Sequence, residues 1–259
     1  MKEIKMRGIS KISVFWRAGF NAAFFFFLLM PLMYAFCSCS ANVEGVLKEG
    51  GAADLAVKTS LEPRMTDLIR RFQVMMGEPG SAALILDGPA ISRSMASAPG
   101  IESVFLANDG PAGLDGAVKV KSAGDFLAVA GRSKKFVTFT EKSGSRPSGQ
   151  LVIALDLESA PELISLLSGD AAAYLAALNA PAASGDAQSR QEYLLFVAAL
   201  YGKPIADEIS AAKIHAVLDF PGPVTSIQGG VSSGNRAVFT VPLLDLLVLD
   251  KPLRYEVNW

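Results

Sequence analysis

Cysteine is nearly missing from this chain. Only Cys37 and Cys39 occur, and the 220 residues after Cys39 contain none. No disulfide can staple that remainder, so a hydrophobic core must stabilise it, and the length is sufficient for one. Histidine occurs once, at His215, and no cysteines lie at metal-site spacing, so cysteine–histidine metal clusters are excluded. Net positive charge is missing as well. Residues 1–38 hold five of the 24 basic residues and one of the 25 acidic ones, which leaves residues 39–259 at a net −5. That balance argues against nucleic acid and against electrostatic docking on anionic headgroups.

What the chain does have is one long apolar run. Ala18 to Phe36 is 19 residues, interrupted by Asn21 and Pro31, and Lys2, Lys5, Arg7, Lys11 and Arg17 precede it with only Glu3 against them. A basic flank followed by an apolar stretch is an export signal, and its positive side stays in the cytoplasm. The run is also long enough, at about 1.5 Å per helical residue, to span a bilayer core of roughly 30 Å. A cleaved signal and an uncleaved membrane helix are thus both open from length alone. The pair Cys37-Ser38-Cys39 at its end resembles the lipobox of bacterial lipoprotein precursors, in the relaxed form found in spirochaetes. That resemblance implies a signal peptide over 1–38, cleavage before Cys39, and acylation of Cys39 with palmitate-type chains. Ser38 is small at the residue before the cut, whereas Phe36 makes Cys37 the worse site. Two acyl chains give stable anchoring where one is marginal. The remainder, residues 39–259, then forms one extracytoplasmic domain held at the cell envelope, on a membrane left undecided between inner and outer.

The pattern of that remainder is α+β: a mostly antiparallel sheet of N- and C-terminal strands, with a helical insertion around 159–211. Asn42 to Ser60 reads as a hairpin about Glu49-Gly50-Gly51, because Leu55 and Val57 alternate with Asp54, Ala56 and Lys58. The folded part thus starts almost at Cys39, with hardly any tether. Glu62 to Met76 reads as a helix, with Pro63 at its start, Gly77 after its end and one apolar face of Met65, Leu68, Ile69, Phe72 and Met76. Ala83–Leu86, Val104–Leu106, Ala117–Lys121, Phe136–Thr140 and Leu151–Leu155 are strand candidates, with a weak helix over Ile91–Ala98.

Ser159 with Glu162 has the capping-box spacing. Helices follow over Ala171–Leu178 and Gln188–Tyr201, separated by Ala180–Gly185. The stretch Tyr193 to Leu200 is apolar nearly all round, so it is either sandwiched in the core or lies over a cavity. Strands return at Ile214–Phe220, Val224–Val231, Ala237–Val241 and Leu253–Trp259. The last has Leu253, Tyr255, Val257 and Trp259 on one face.

Leu218-Asp219-Phe220-Pro221-Gly222-Pro223-Val224, then Gly229-Gly230 and Asn235-Arg236-Ala237-Val238-Phe239, is similar to the closing portion of LppM-like bacterial lipoproteins. The resemblance implies an envelope lipoprotein of mixed α/β fold, and it carries over no catalytic residues.

The motif search is otherwise sparse. His-Glu-x-x-His, Gly-x-Ser-x-Gly, the P-loop and Gly-x-Gly-x-x-Gly are absent. Ser210-Ala-Ala-Lys213 matches the Ser-x-x-Lys of penicillin-binding enzymes without its Ser-Asp-Asn and Lys-Thr-Gly partners. It is the one pattern that points to a serine hydrolase, and two fixed positions arise easily by chance. His215 reads as a surface or edge residue beside Lys213 and Asp219. The expectation is a non-enzymatic envelope protein without cofactor or metal, anchored by lipid and binding a lipid or other apolar ligand, with Tyr193, Phe196, Val197 and Leu200 as its lining. The alternative is an interaction or assembly module for another envelope protein. The two differ in whether apolar surface is enclosed in a pocket or exposed as a patch.

Overall fold

The first strand is the middle of the larger of two sheets. In a computed structural model that describes residues 39–75, 84–123, 125, 136–142, 147–164 and 169–259, β1 runs over Cys39–Leu47. It pairs antiparallel with β2 (Ala53–Leu61) across a 3-10 turn at Glu49–Gly51, the expected hairpin. Beyond β2 lie β4 (Gly113–Val120) and then β3 (Ile101–Asn108), both antiparallel. The free side of β1 takes β7 (Lys213–Asp219), a parallel pairing within an otherwise antiparallel sheet. β10 (Arg236–Pro242) and β9 (Gly230–Ser233) complete seven strands in the order β3-β4-β2-β1-β7-β10-β9. A second sheet is ordered β5-β6-β11-β8, from β5 (Val137–Lys142), β6 (Ser148–Leu155), β11 (Leu253–Asn258) and β8 (Ser226–Gln228). Strands from both ends of the chain thus build an α+β fold, as the alternation predicts.

Two expected strands differ. Ala83 lies outside the described residues and Leu84–Leu86 is a bend, not a strand; the Ile85 amide donates to Pro111 O at 3.0 Å, and Ile85 and Leu86 are buried. Val224–Val231 is not one strand but two, β8 and β9, which belong to different sheets. Gly229 makes the break. Its φ of +80° is the left-handed region, and a Cβ there would lie 2.6 Å from Tyr255 Cδ1. Side chains alone bias neither outcome, which is why the alternation carried straight through.

Helices cover one face of the large sheet. α1 (Pro63–Met75) buries Met65, Leu68, Ile69 and Phe72, the stripe read from its spacing; Met76 and Gly77 lie outside the described residues. α2 (Gly88–Ala96) starts ahead of the expected helix because Asp87 caps it, accepting from the Ala90 amide. The insertion contains α3 (Ala160–Ile164), α4 (Gly169–Ala177), α5 (Pro181–Ser184), α6 (Arg190–Tyr201) and α7 (Lys203–Ala211). Ser159 turns back on Asp156, whose carboxylate accepts from its amide at 2.8 Å. The reciprocal capping box sits instead at Ser189 and Glu192, the start of α6. Tyr201 stacks edge-on against Phe72 and donates to Ala177 O, so α1, α4 and α6 share one contact.

α8 (Leu243–Val248) was not foreseen. Five of its six residues are buried, and its one polar side chain, Asp245, meets Arg190 at 3.0 Å. The two sheets join through aromatic rings: Phe239 of β10 packs edge-on to Tyr255 of β11, and Trp259 lies between Phe139 and Phe220. Trp259 exchanges backbone hydrogen bonds with Gly149, so the last residue is tied to the sheet. Among the described residues no helix is long and apolar enough to cross a membrane.

Candidate functional site

Helices pack on the face of the large sheet that carries Ala41, Leu55, Val118 and Leu218, which are buried. Among the described residues nothing covers the other face. Strand alternation places Asn42, Glu44 and Val46 of β1 on it, and all three are exposed. From them, cross-strand register defines three rows that run across the strands.

The middle row is apolar. It reads Phe105, Ala117, Ala56, Glu44, Val217, Val238, Val231, one residue from each of the seven strands. At a strand spacing of about 4.8 Å it extends over roughly 30 Å. Its two ends are the most exposed large apolar side chains of the sheet, Phe105 at 71% and Val231 at 67%. Glu44 interrupts it at the centre.

Polar rows flank it. On one side lie Lys119, Asp54, Val46, Asp219 and Arg236, on the other Asp115, Lys58, Asn42, His215 and Thr240. Asp219 and Arg236 join in two hydrogen bonds of 2.8 Å. The donated bonds hold the Asp219 carboxyl below its ordinary range, and the guanidinium is in turn held charged by Asp219 and by the nearby charge of Glu44. Lys58 reaches Asp115 at 3.3 Å and Asp109 at 3.6 Å, and the Asp115 contact raises its pKa. Lys48 closes on Asp54 at 2.5 Å. His215 shares a 3.1 Å contact with Thr240 Oγ1 on this face, beside Lys213 and Asp219, as read from the alternation.

Because Ala56 and Ala117 are short and Val46, Asp54, Lys119 and Arg236 are longer, the middle of the face is hollow. The depression has a volume of about 360 Å³ and opens to solvent; Glu44, Val217 and Asp219 also line it. Among the described residues that line it stands neither an activated nucleophile nor a cluster of metal-binding side chains. Among the described residues no group of three or more His, Cys, Asp or Glu side chains gathers anywhere.

The residues singled out in the sequence fall elsewhere. Tyr193 and Val197 are fully buried on the inner face of α6, where Tyr193 Oη donates to Leu178 O at 3.3 Å. Phe196 is half-buried and Leu200 is 55% exposed, so exposure varies along the helical face that the four share at i, i+3, i+4 and i+7. Ser210 and Lys213 are both exposed, on the last turn of α7 and the first residue of β7. Cys39 opens β1, opposite Leu61 of β2; Cys37 lies outside the described residues. The outer-face row itself escaped the sequence. Alternation marked the face of each strand, but which residues align across seven strands depends on register, for which only the hairpin turn gave a signal.

No protein-family model matches the chain, and no curated protein matches it. Among solved structures it is similar to the folded domain of the Mycobacterium tuberculosis LppM protein, determined by NMR, with a TM-score of 0.36 and 10% identity over 85% of this chain and 88% of that one.

Proposed function

We propose that this is a lipid-anchored protein of the bacterial cell envelope that holds another envelope component on the open face of its seven-stranded sheet. The anchor is Cys39, with acyl chains carried outside the cytoplasmic membrane. The observation that carries the docking role is the apolar row from Phe105 to Val231, set between two charged rows on a face that no helix covers among the described residues. Exposed apolar patches rimmed by polar residues mark interaction sites. The charges beside it set the chemistry of the partner. Glu44 makes no ion pair among the described residues and stands mid-row, so a partner with apolar side chains and a central Lys or Arg is complementary.

Two measurements test this. Labelled palmitate is expected in the protein, with a mature mass that starts at residue 39 plus lipid; Cys39→Ala abolishes the label and Cys37→Ala does not. A full-length mass without lipid overturns the anchor. Photocrosslinkers placed at Phe105 and Val231 in intact envelopes are then expected to capture one protein partner, and Glu44→Lys is expected to abolish capture. Recovery of acyl lipid alone would return the protein to the apolar-ligand reading, and no adduct from either position would remove the docking face.

A further inference from the structure

We infer that the domain stands end-on in the lipid headgroup layer, resting on the rim of the large sheet that surrounds the start of β1. This inference rests on acylation at Cys39. Three observations lead to it. First, β1 begins at Cys39 itself, so no flexible tether separates the acylated residue from the sheet. Second, register places Leu61 of β2 directly opposite Cys39 and Lys213 of β7 opposite Ser40. At about 4.8 Å between strands, both neighbours stand within roughly one residue's width of the anchor, and Gly113 and Pro242 one strand farther.

Third, backbone hydrogen bonds gather the surrounding connections at the same end. The Leu61 amide donates to Ala112 O, Ile85 to Pro111 O, and Leu243 to Ala212 O, each at 3.0 Å. The exposed side chains there include Glu62, Pro63, Leu84, Asp109 and Pro111, with Lys213 at the margin. An acyl chain on Cys39 must enter the hydrocarbon, and the headgroup zone on one side is only about 5–8 Å deep. The rim therefore cannot stand clear of it. Pro63, Leu84 and Pro111 suit that boundary, and of the two carboxylates there Asp109 has Lys58 at 3.6 Å beside it.

A flat arrangement, with the open sheet face on the bilayer, is the competing geometry. It would press Glu44, which makes no ion pair among the described residues, and the ion pairs of Asp54, Asp115 and Asp219 toward the headgroups, whereas the end-on rim leaves them in water. In the end-on arrangement, at about 3.3 Å per residue, Glu44 to Val46 stand roughly 17–23 Å above the anchor. The docking face is then presented sideways, parallel to the membrane normal.

The test uses the acylated full-length product, reconstituted in vesicles of phosphatidylethanolamine and phosphatidylglycerol. Residues after Cys39 contain no cysteine, so one introduced cysteine takes a polarity-sensitive fluorophore at a unique position. Leu84→Cys and Pro111→Cys labels are expected to shift to the blue and to be quenched by a lipid-borne quencher. Labels at Glu49→Cys, on the far turn, and Phe105→Cys, on the open face, are expected to stay in water. Quenching at Phe105 with water exposure at Pro111 would establish the flat geometry and overturn the inference. Water exposure at all four positions, with lipid confirmed on Cys39 by mass, would overturn it while leaving the anchor intact. A mass without lipid on Cys39 would overturn both.

Discussion

Asp219 and Arg236 face each other across the β7–β10 ladder and meet fork to fork, carboxylate to guanidinium, on the wall of the open depression. The pair fixes Arg236 beside the apolar row, with its charge directed by geometry and not by burial.

Because Asp219 is depressed below its ordinary value of 3.8 by the bonds from Arg236, the stability it adds is present above that value and fades as pH falls through the lowered one. Asp219→Asn is expected to lower the melting temperature slightly at neutral pH and not at all in strong acid. Thermal unfolding of both proteins over that range checks it. The difference should also shrink in high salt, since the pair is exposed to solvent.

Asp245 works in the opposite direction. Burial raises its pKa, Arg190 lowers it and Asp250 raises it again. Its raised carboxyl favours the protonated fold, so stability declines as pH rises from 3.8 through the raised value. Arg190→Ala removes the one favourable charge, and the Asp245 titration is expected to move to higher pH. Asp245→Asn is expected to flatten that part of the stability profile. An unchanged Asp245 titration in Arg190→Ala, followed by NMR, would show that the 3.0 Å contact is not formed in solution.

Gly229 and Gly50 form a matched pair for a backbone test. Both have φ of +80°, but a Cβ at Gly50 meets nothing within 4 Å, while one at Gly229 meets Tyr255 and Arg254. Replacing either by Ala costs the left-handed strain, on the order of 1–3 kcal/mol. Gly229→Ala is expected to cost a further ~1–3 kcal/mol from the clash. Equal destabilisation of the two in denaturant titrations would mean that the corner between the sheets is looser than it appears here.

The four apolar residues of α6 should separate sharply by burial. Tyr193→Ala is expected to cost about 3–5 kcal/mol, as for large aromatic truncations in a core, because Tyr193 is fully buried. Leu200→Ala, at a residue 55% exposed, is expected to change stability by less than about 0.5 kcal/mol. A comparable loss at both positions would indicate that Leu200 is covered in solution.

The α+β class, the opening hairpin, the amphipathic α1 and the helical block were legible in the sequence because each is written in local spacing. Met65, Leu68, Ile69 and Phe72 needed only a count of three and four. Other features are written in relations between distant residues. β1 and β7 pair in parallel although Glu44 and Val217 are far apart in the chain, and no local signal marks such a pairing. The same holds for the apolar row, whose members come from all seven strands. α8 was missed because Leu243 to Val248 is a single short apolar run, too brief for helical periodicity to show. The reading of α6 as apolar all round was right for composition and wrong for its outcome: only Tyr193 and Val197 are fully buried, while Leu195 and Leu200 face solvent.

The parallel seam between β1 and β7 also sets a timetable. A chain made from its N-terminus completes β1 and β2 early, but the strand that closes the other side of β1 begins only at Lys213. At about 5–20 residues per second, the intervening stretch takes on the order of ten seconds to appear. Throughout that interval β1 carries an unpaired row of amides and carbonyls along one side, on a strand with Val43 and Val46. An open strand edge of this kind invites pairing with whatever chain is near. That edge of the nascent domain thus stays open until roughly its last fifth arrives.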